Sequence, residues 1–130
     1  MTDANGIRLR LRALVALGHS GARIAGALQV PPHVVQRILT GQTKVITPEF
    51  RARAVFLYES WWDLRAPEST LHQRRAATRA RSRAARNDWC CPAGLDDDLV
   101  DEPGYQPDEH WRYATCAGRT ADQLSFGGVA

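Results

Sequence analysis

Residues 20–41, SGARIAGALQVPPHVVQRILTG, constrain the fold more than any other part of this chain. They read as two short helices joined by a tight turn. The first runs from an N-cap at Ser20 to about Leu28, with Ile24, Ala25 and Leu28 on one face at helical spacing. Ala25 is small where two helices joined this way come closest. Gln29-Val30 makes the turn, and Val30 plugs the angle. Pro31-Pro32 opens the second helix, because the N–H groups of a first turn have no intrahelical partner to lose. Val35, Ile38 and Leu39 face inward, and Gly41 stops the helix.

With those three residues buried, the second helix turns Pro32, His33, Gln36, Arg37 and Thr40 outward. Gln36 can pair bidentately with adenine, and Arg37 with guanine or a phosphate. His33, near the helix start, suits a base edge or a phosphate, neutral or protonated. Each also has the plainer reading of a solvated surface group. Ser20, Arg23, Thr43 and Lys44 lie at the edges of the segment and are candidate phosphate contacts, which position a protein on DNA without reading sequence.

The segment resembles helix-turn-helix DNA-binding proteins of the lambda-repressor-like type. The matching residues are Ile24-Ala25, Leu28, Val30, Val35, Arg37-Ile38-Leu39 and the Gly41 stop, covering about one sixth of the chain. The resemblance implies that the second helix enters the major groove. One departure stands out: the turn position usually given to glycine is Gln29. A left-handed backbone there costs roughly 1 kcal/mol relative to glycine, so a slightly altered turn is expected. The alternative is a plain αα-hairpin within a bundle.

The flanks supply the rest of a bundle. Residues 6–17 form a helix with Ile7, Leu11, Leu14 and Val15 on one face and Arg8, Arg10 and Arg12 away from it, ended by Gly18. After a loop at 42–46, Thr47 caps a fourth helix that starts with Pro48 and Glu49 and runs to about Trp62 or Asp63. Phe50, Ala54, Leu57, Tyr58 and Trp61 share its inner face. A bundle of about 60 residues is marginal on its own core. The aromatic end, Tyr58 with Trp61 and Trp62, therefore has two readings: burial against the C-terminal half, or a homodimer interface.

Charge divides the 130 residues into blocks. Residues 1–63 carry a balance of +4, residues 64–87 of +6 and residues 88–110 of −8, behind a net +3. Sixteen of the seventeen basic residues are arginine, the better reader of phosphate and guanine. After the Ala66-Pro67 break, a helix capped by Ser69 or Thr70 is expected, made almost wholly of alanine, arginine and short polar groups. Leu71 is its one large aliphatic side chain. Alanine favours helix but anchors it weakly, so the helix needs a surface to lie on. Its arginines, Arg79, Arg81 and Arg83 among them, follow a phosphate backbone or minor groove, pair with the acidic block, or form a solvated face.

From Asn87 onward prolines, glycines and acids dominate, with Trp89, Leu95, Leu99, Tyr105 and Trp111 as scattered anchors. An irregular segment laid on the helices is expected, with the last dozen residues disordered. Arg81, Arg83, Arg86, Trp89, Pro92, Asp96-Asp97-Asp98 and Glu102-Pro103 resemble a tail of small helix-turn-helix proteins of actinobacteria and their phages. Asp88 stands where glycine is common there, and that resemblance implies a regulator but no activity for the tail. The acidic block either mimics phosphate or serves solubility. Cys90, Cys91, Cys116 and His110 make a poor zinc set, because adjacent cysteines chelate one tetrahedral ion awkwardly and no C-x-x-C pair is present. Free thiols are expected, without metal or cofactor. The aspartates sit on no evident scaffold with a partnering lysine, and no nucleophile–base pair or phosphate-cradling glycine loop is visible, so no enzyme is expected.

The expected fold is mainly α: a four-helix helix-turn-helix bundle over 1–64, an arginine-rich helix over 65–87, and an acidic, largely irregular extension over 88–130. The expected function is sequence-specific binding of double-stranded DNA by a cytoplasmic, nucleoid-associated transcriptional regulator or phage-type repressor. The rival is a protein-interaction adaptor docking through Trp61, Trp62 and the acidic tail. No membrane span is expected, since no apolar run has the length.

Overall fold

The computed structural model describes residues 1–107. These form a mainly helical structure with little strand. Helices α1 (Asn5–Ala16), α2 (Gly21–Leu28), α3 (Pro32–Leu39), α4 (Pro48–Trp61) and α5 (Leu71–Arg86) are followed by a single 3-10 turn at Pro92–Gly94. The residues expected to cap them do so. Ser20 accepts from the Arg23 amide, Thr47 from the Phe50 amide, and Thr70 forms a reciprocal capping box with Gln73. One pairing was not foreseen: Thr2–Asp3 and Val45–Ile46 form a two-residue antiparallel ladder that ties the N-terminus to the loop before α4. Among the described residues no helix is long and apolar enough to cross a membrane.

The core lies around α1, which packs against α3, α4 and α5. Ile7, Leu11, Leu14 and Val15 meet Ile24, Leu28, Val35, Ile38 and Leu39 from the α2–α3 pair and Ala54 and Leu57 from α4. Each of these apolar positions has the periodicity that buries it.

The arginines of α1 depart from expectation. Arg10, expected away from the apolar face, is buried. Its guanidinium forms two parallel bonds to Asp101, at 2.8 and 3.0 Å, and Arg51 of α4 meets the same carboxylate at 3.0 Å. Arg12 donates to the Leu39 carbonyl at 2.8 Å and closes an open end of α3. The outer face of α1 is thus covered by the C-terminal segment, which the α1 periodicity alone does not reveal.

Helix α5 finds its surface in α1. Ala77, Ala80 and Ala84 are buried there, while Leu71, its one large aliphatic, is exposed. On α5, Arg81 pairs with Glu68, and Arg83 lies over the Trp89 ring at 4.9 Å. Trp89 is buried, and Arg12 lies over the same ring at 5.0 Å. Leu95 packs on the core and Tyr105 is half-buried, but the expected anchor Leu99 is exposed and Val100 is buried instead. The capped turn at Asp96–Asp98, with the Val100 amide donating to the Asp96 carbonyl, rotates Leu99 outward. The expectations for Trp111, His110, Cys116 and the last dozen residues lie outside the described residues. Cys90 is a buried free thiol, and burial pushes its pKa up to about 11. Cys91 is disulfide-bonded, so the expectation of free thiols fails there.

His19, fully buried, joins three helices. Its ring stacks on Trp61 with centroids 4.5 Å apart. Arg23 Nε, which can only donate, lies 3.2 Å from His19 Nδ1, so Nδ1 accepts. The proton sits on Nε2 and is donated to the Leu64 carbonyl at 2.7 Å. The imidazole is therefore neutral, and burial lowers its pKa from 6.5 to about 4. The unfolded chain takes up this proton first as pH falls. Stability should be full above pH 6.5 and decline towards pH 4, by roughly 3 kcal/mol. The Arg10 bond holds Asp101 down from 3.8 to about 2. That contribution is present above pH 4 and lost below it; it is discounted to about 1 kcal/mol because the carboxylate is 46% exposed. Urea denaturation across pH 7.5 to 4 tests the His19 window. A stability flat across that interval would contradict the assignment.

Candidate functional site

The turn between α2 and α3 has the geometry usually given to glycine. Gln29 adopts the left-handed conformation, φ 58° and ψ 43°, and the Val30 amide reaches back to the Ala25 carbonyl at 3.0 Å. The altered turn expected from a non-glycine residue is absent; the strain is accepted instead. Val30 is half-buried against the core, and Arg53 of α4 donates to the Leu28 carbonyl at 3.0 Å, holding the end of α2.

Helix α3 is fixed at both ends. Pro32 occupies its first turn, and the Arg37 carbonyl accepts from the amides of Gln42 and Thr43 beyond Gly41. Gly41, at φ +83°, makes that reversal without a side-chain clash. Val35, Ile38 and Leu39 are buried, and Pro32, His33, Arg37 and Thr40 form an exposed edge. Gln36 is half-buried, because its amide folds over the first residue of α2. A Cβ on Gly21 would stand 2.6 Å from Gln36 Nε2. Glycine there lets the Gln36 amide lie against the α2 N-terminus. The Thr40 hydroxyl donates to the Gln36 carbonyl at 2.9 Å.

The remaining candidates fall into two groups. Lys44 is exposed and Thr43 half-buried in the loop after α3. On the other flank a groove of about 350 Å³ separates the α2 N-terminus from α5, with Ser20, Gly21 and Ala22 on one wall and His72, Arg79 and Arg83 on the other. Arg79 is exposed there. Arg81 is directed instead to Glu68, with one guanidinium nitrogen buried and unpaired, and Arg83 is half-spent on Trp89. Arg23 rests over Trp61 at 4.8 Å. The α3 edge, Lys44 and Arg79 are therefore exposed, with Arg79 in the groove beside the α2 N-terminus, while Arg81 and Arg23 serve largely as structural groups.

Residue reasoning missed the His19–Trp61–Arg23 stack and the Arg10–Asp101–Arg51 cluster. The first left one signal, the i, i+4 spacing of His19 and Arg23; the second spans 91 positions and left none. Among the described residues no three His, Cys, Asp or Glu side chains lie close enough to hold a metal ion. Comparison with family models, with curated proteins and with solved structures finds no match.

Replacing Gln29 with glycine relieves a left-handed non-glycine backbone. It also loosens the unfolded chain, which offsets part of the gain. The net expectation is a stabilisation of about 0.5 kcal/mol, read by urea denaturation. A loss of stability would mean that the Gln29 side chain contributes packing that its exposure hides.

Proposed function

We propose that the chain binds duplex DNA in a sequence-specific manner, as a transcriptional regulator of repressor type. In this reading α1–α4 form a four-helix bundle in which α2 and α3 are a helix-turn-helix, and α5 is an appended basic helix. Helix α3 enters the major groove with His33, Gln36, Arg37 and Thr40 towards the base edges. Lys44 on one flank and Arg79, beside the N-terminus of α2, on the other meet phosphates.

One observation carries this reading. The apolar side of α3 is spent on the core and its opposite side is exposed and polar, with Lys44 exposed just beyond its end and Arg79 in the groove beside the α2 N-terminus. A balance of +10 over residues 1–87 supplies the long-range attraction. The adaptor reading loses part of its surface, since Trp61 is half-buried between His19 and Arg23.

Selection from a random DNA pool with the purified protein is the direct test. If about five phosphates are neutralised, log K against log salt should fall with a slope of about −4 to −5. Arg37→Ala should weaken the selected site by about 1–3 kcal/mol and relax its base preference. Arg79→Ala should weaken all sequences alike and reduce the slope by about 1. No enrichment at low salt, or an Arg37→Ala variant with unchanged motif and affinity, would sink the proposal.

A further inference from the structure

A cavity of about 400 Å³ lies away from the α3 edge, between α4 and the C-terminal segment. Tyr58, Glu59 and Trp62 form one wall, and Pro92, Leu95 and Asp97 the other. Its volume falls within the range of small-molecule sites.

The chemistry of the walls is selective. Tyr58 is only 6% exposed and turns one side to the cavity wall. Burial raises its pKa, and the neighbouring Asp97 charge adds to the rise, so the phenol stays protonated and Asp97 lies close enough to be felt. Glu59 and Asp97 bring two carboxylates. Arg10 also lines the cavity, but its charge is taken up by two bonds to Asp101. The Trp62 indole is half-exposed at the rim. A cation already sits over an aromatic ring here, with Arg10 5.9 Å from the Tyr58 centroid.

We propose that this cavity binds a small organic cation, an amine or quaternary ammonium carried on an apolar body. The charge sits between Glu59 and Asp97 against the Trp62 face, and the body packs on Leu95 and Pro92. An amine N–H can donate to the Tyr58 oxygen. An anion would meet two carboxylates, and a purely apolar ligand would desolvate them without compensation. Because the two walls belong to different segments, the ligand would fasten residues 92–97 to α4 and raise the melting temperature. None of this depends on DNA binding.

The test is an NMR titration of the full chain at pH 7 with benzylamine, benzyl alcohol and benzoate. Benzylamine should shift the Trp62 indole N–H and the Leu95 and Asp97 amides, saturating below roughly 10 mM, and benzoate should not. The double variant Glu59→Gln/Asp97→Asn changes two exposed side chains that form no ion pair among the described residues, and it should weaken benzylamine binding at least about tenfold. Equal response to benzoate or benzyl alcohol, silence of Trp62 towards benzylamine, or undiminished affinity of the double variant would each overturn the proposal.

Discussion

The structure depends on one awkward helix. Helix α1 is packed on three sides by α3, α4 and α5, yet it carries arginines at 8, 10 and 12. A charge taken into a core is costly unless it is paired and hydrogen-bonded. Each arginine has an answer from a different part of the chain. Asn5 accepts from Arg8, Asp101 grips Arg10 with two bonds, and the Leu39 carbonyl takes the Arg12 Nε–H while Trp89 lies beneath its guanidinium. The C-terminal segment is therefore part of the fold rather than an appendage, because without it Arg10 loses the Asp101 carboxylate and Arg12 the Trp89 ring.

This requirement explains which parts of the architecture could be read along the chain and which could not. Capping by Ser20, Thr47 and Thr70, the proline starts of α3 and α4, and the inward faces of α1 to α4 are local or periodic properties, and they are legible one residue type at a time. The docking of α5 is different. Ala77, Ala80 and Ala84 carry almost no apolar signal, and only α1 shows why small residues suffice: they allow close approach. Likewise no spacing rule connects Arg10 with Asp101. The outward edge of α3 was readable by subtraction, since Val35, Ile38 and Leu39 leave His33, Arg37 and Thr40 outside. The fold of Gln36 over Gly21 was not readable, because it depends on how two helices cross.

The same accounting changes how the charge of the chain should be understood. A balance of +10 over residues 1–87 suggests a surface thick with free cations. In the structure many are already engaged. Arg10 and Arg51 hold Asp101, Arg53 closes α2, Arg12 closes α3, Arg23 covers Trp61, and Arg81 holds Glu68. The arginine richness is in large part structural: a planar guanidinium can satisfy a carbonyl and cover an aromatic ring at once, which an ammonium does less well.

Arg75 and Arg86 are exposed on α5, and three further exposed cations bear on the proposed interface. Arg37 and Lys44 stand at and just beyond the end of α3, and Arg79 faces the start of α2 across the α5 groove. Arg37 and Arg79 sit on helices that pack on the same central helix, and the Lys44 carbonyl accepts from the Ala4 amide at the start of that helix, so the fold sets the spacing of their backbones. For the proposed DNA reading this matters more than the net charge. A diffuse positive surface attracts any polyanion, whereas cations held at fixed spacing around one hydrogen-bonding edge favour a partner whose phosphates and base edges match that spacing. Core packing around α1 is in this sense the source of whatever selectivity the exposed edge has.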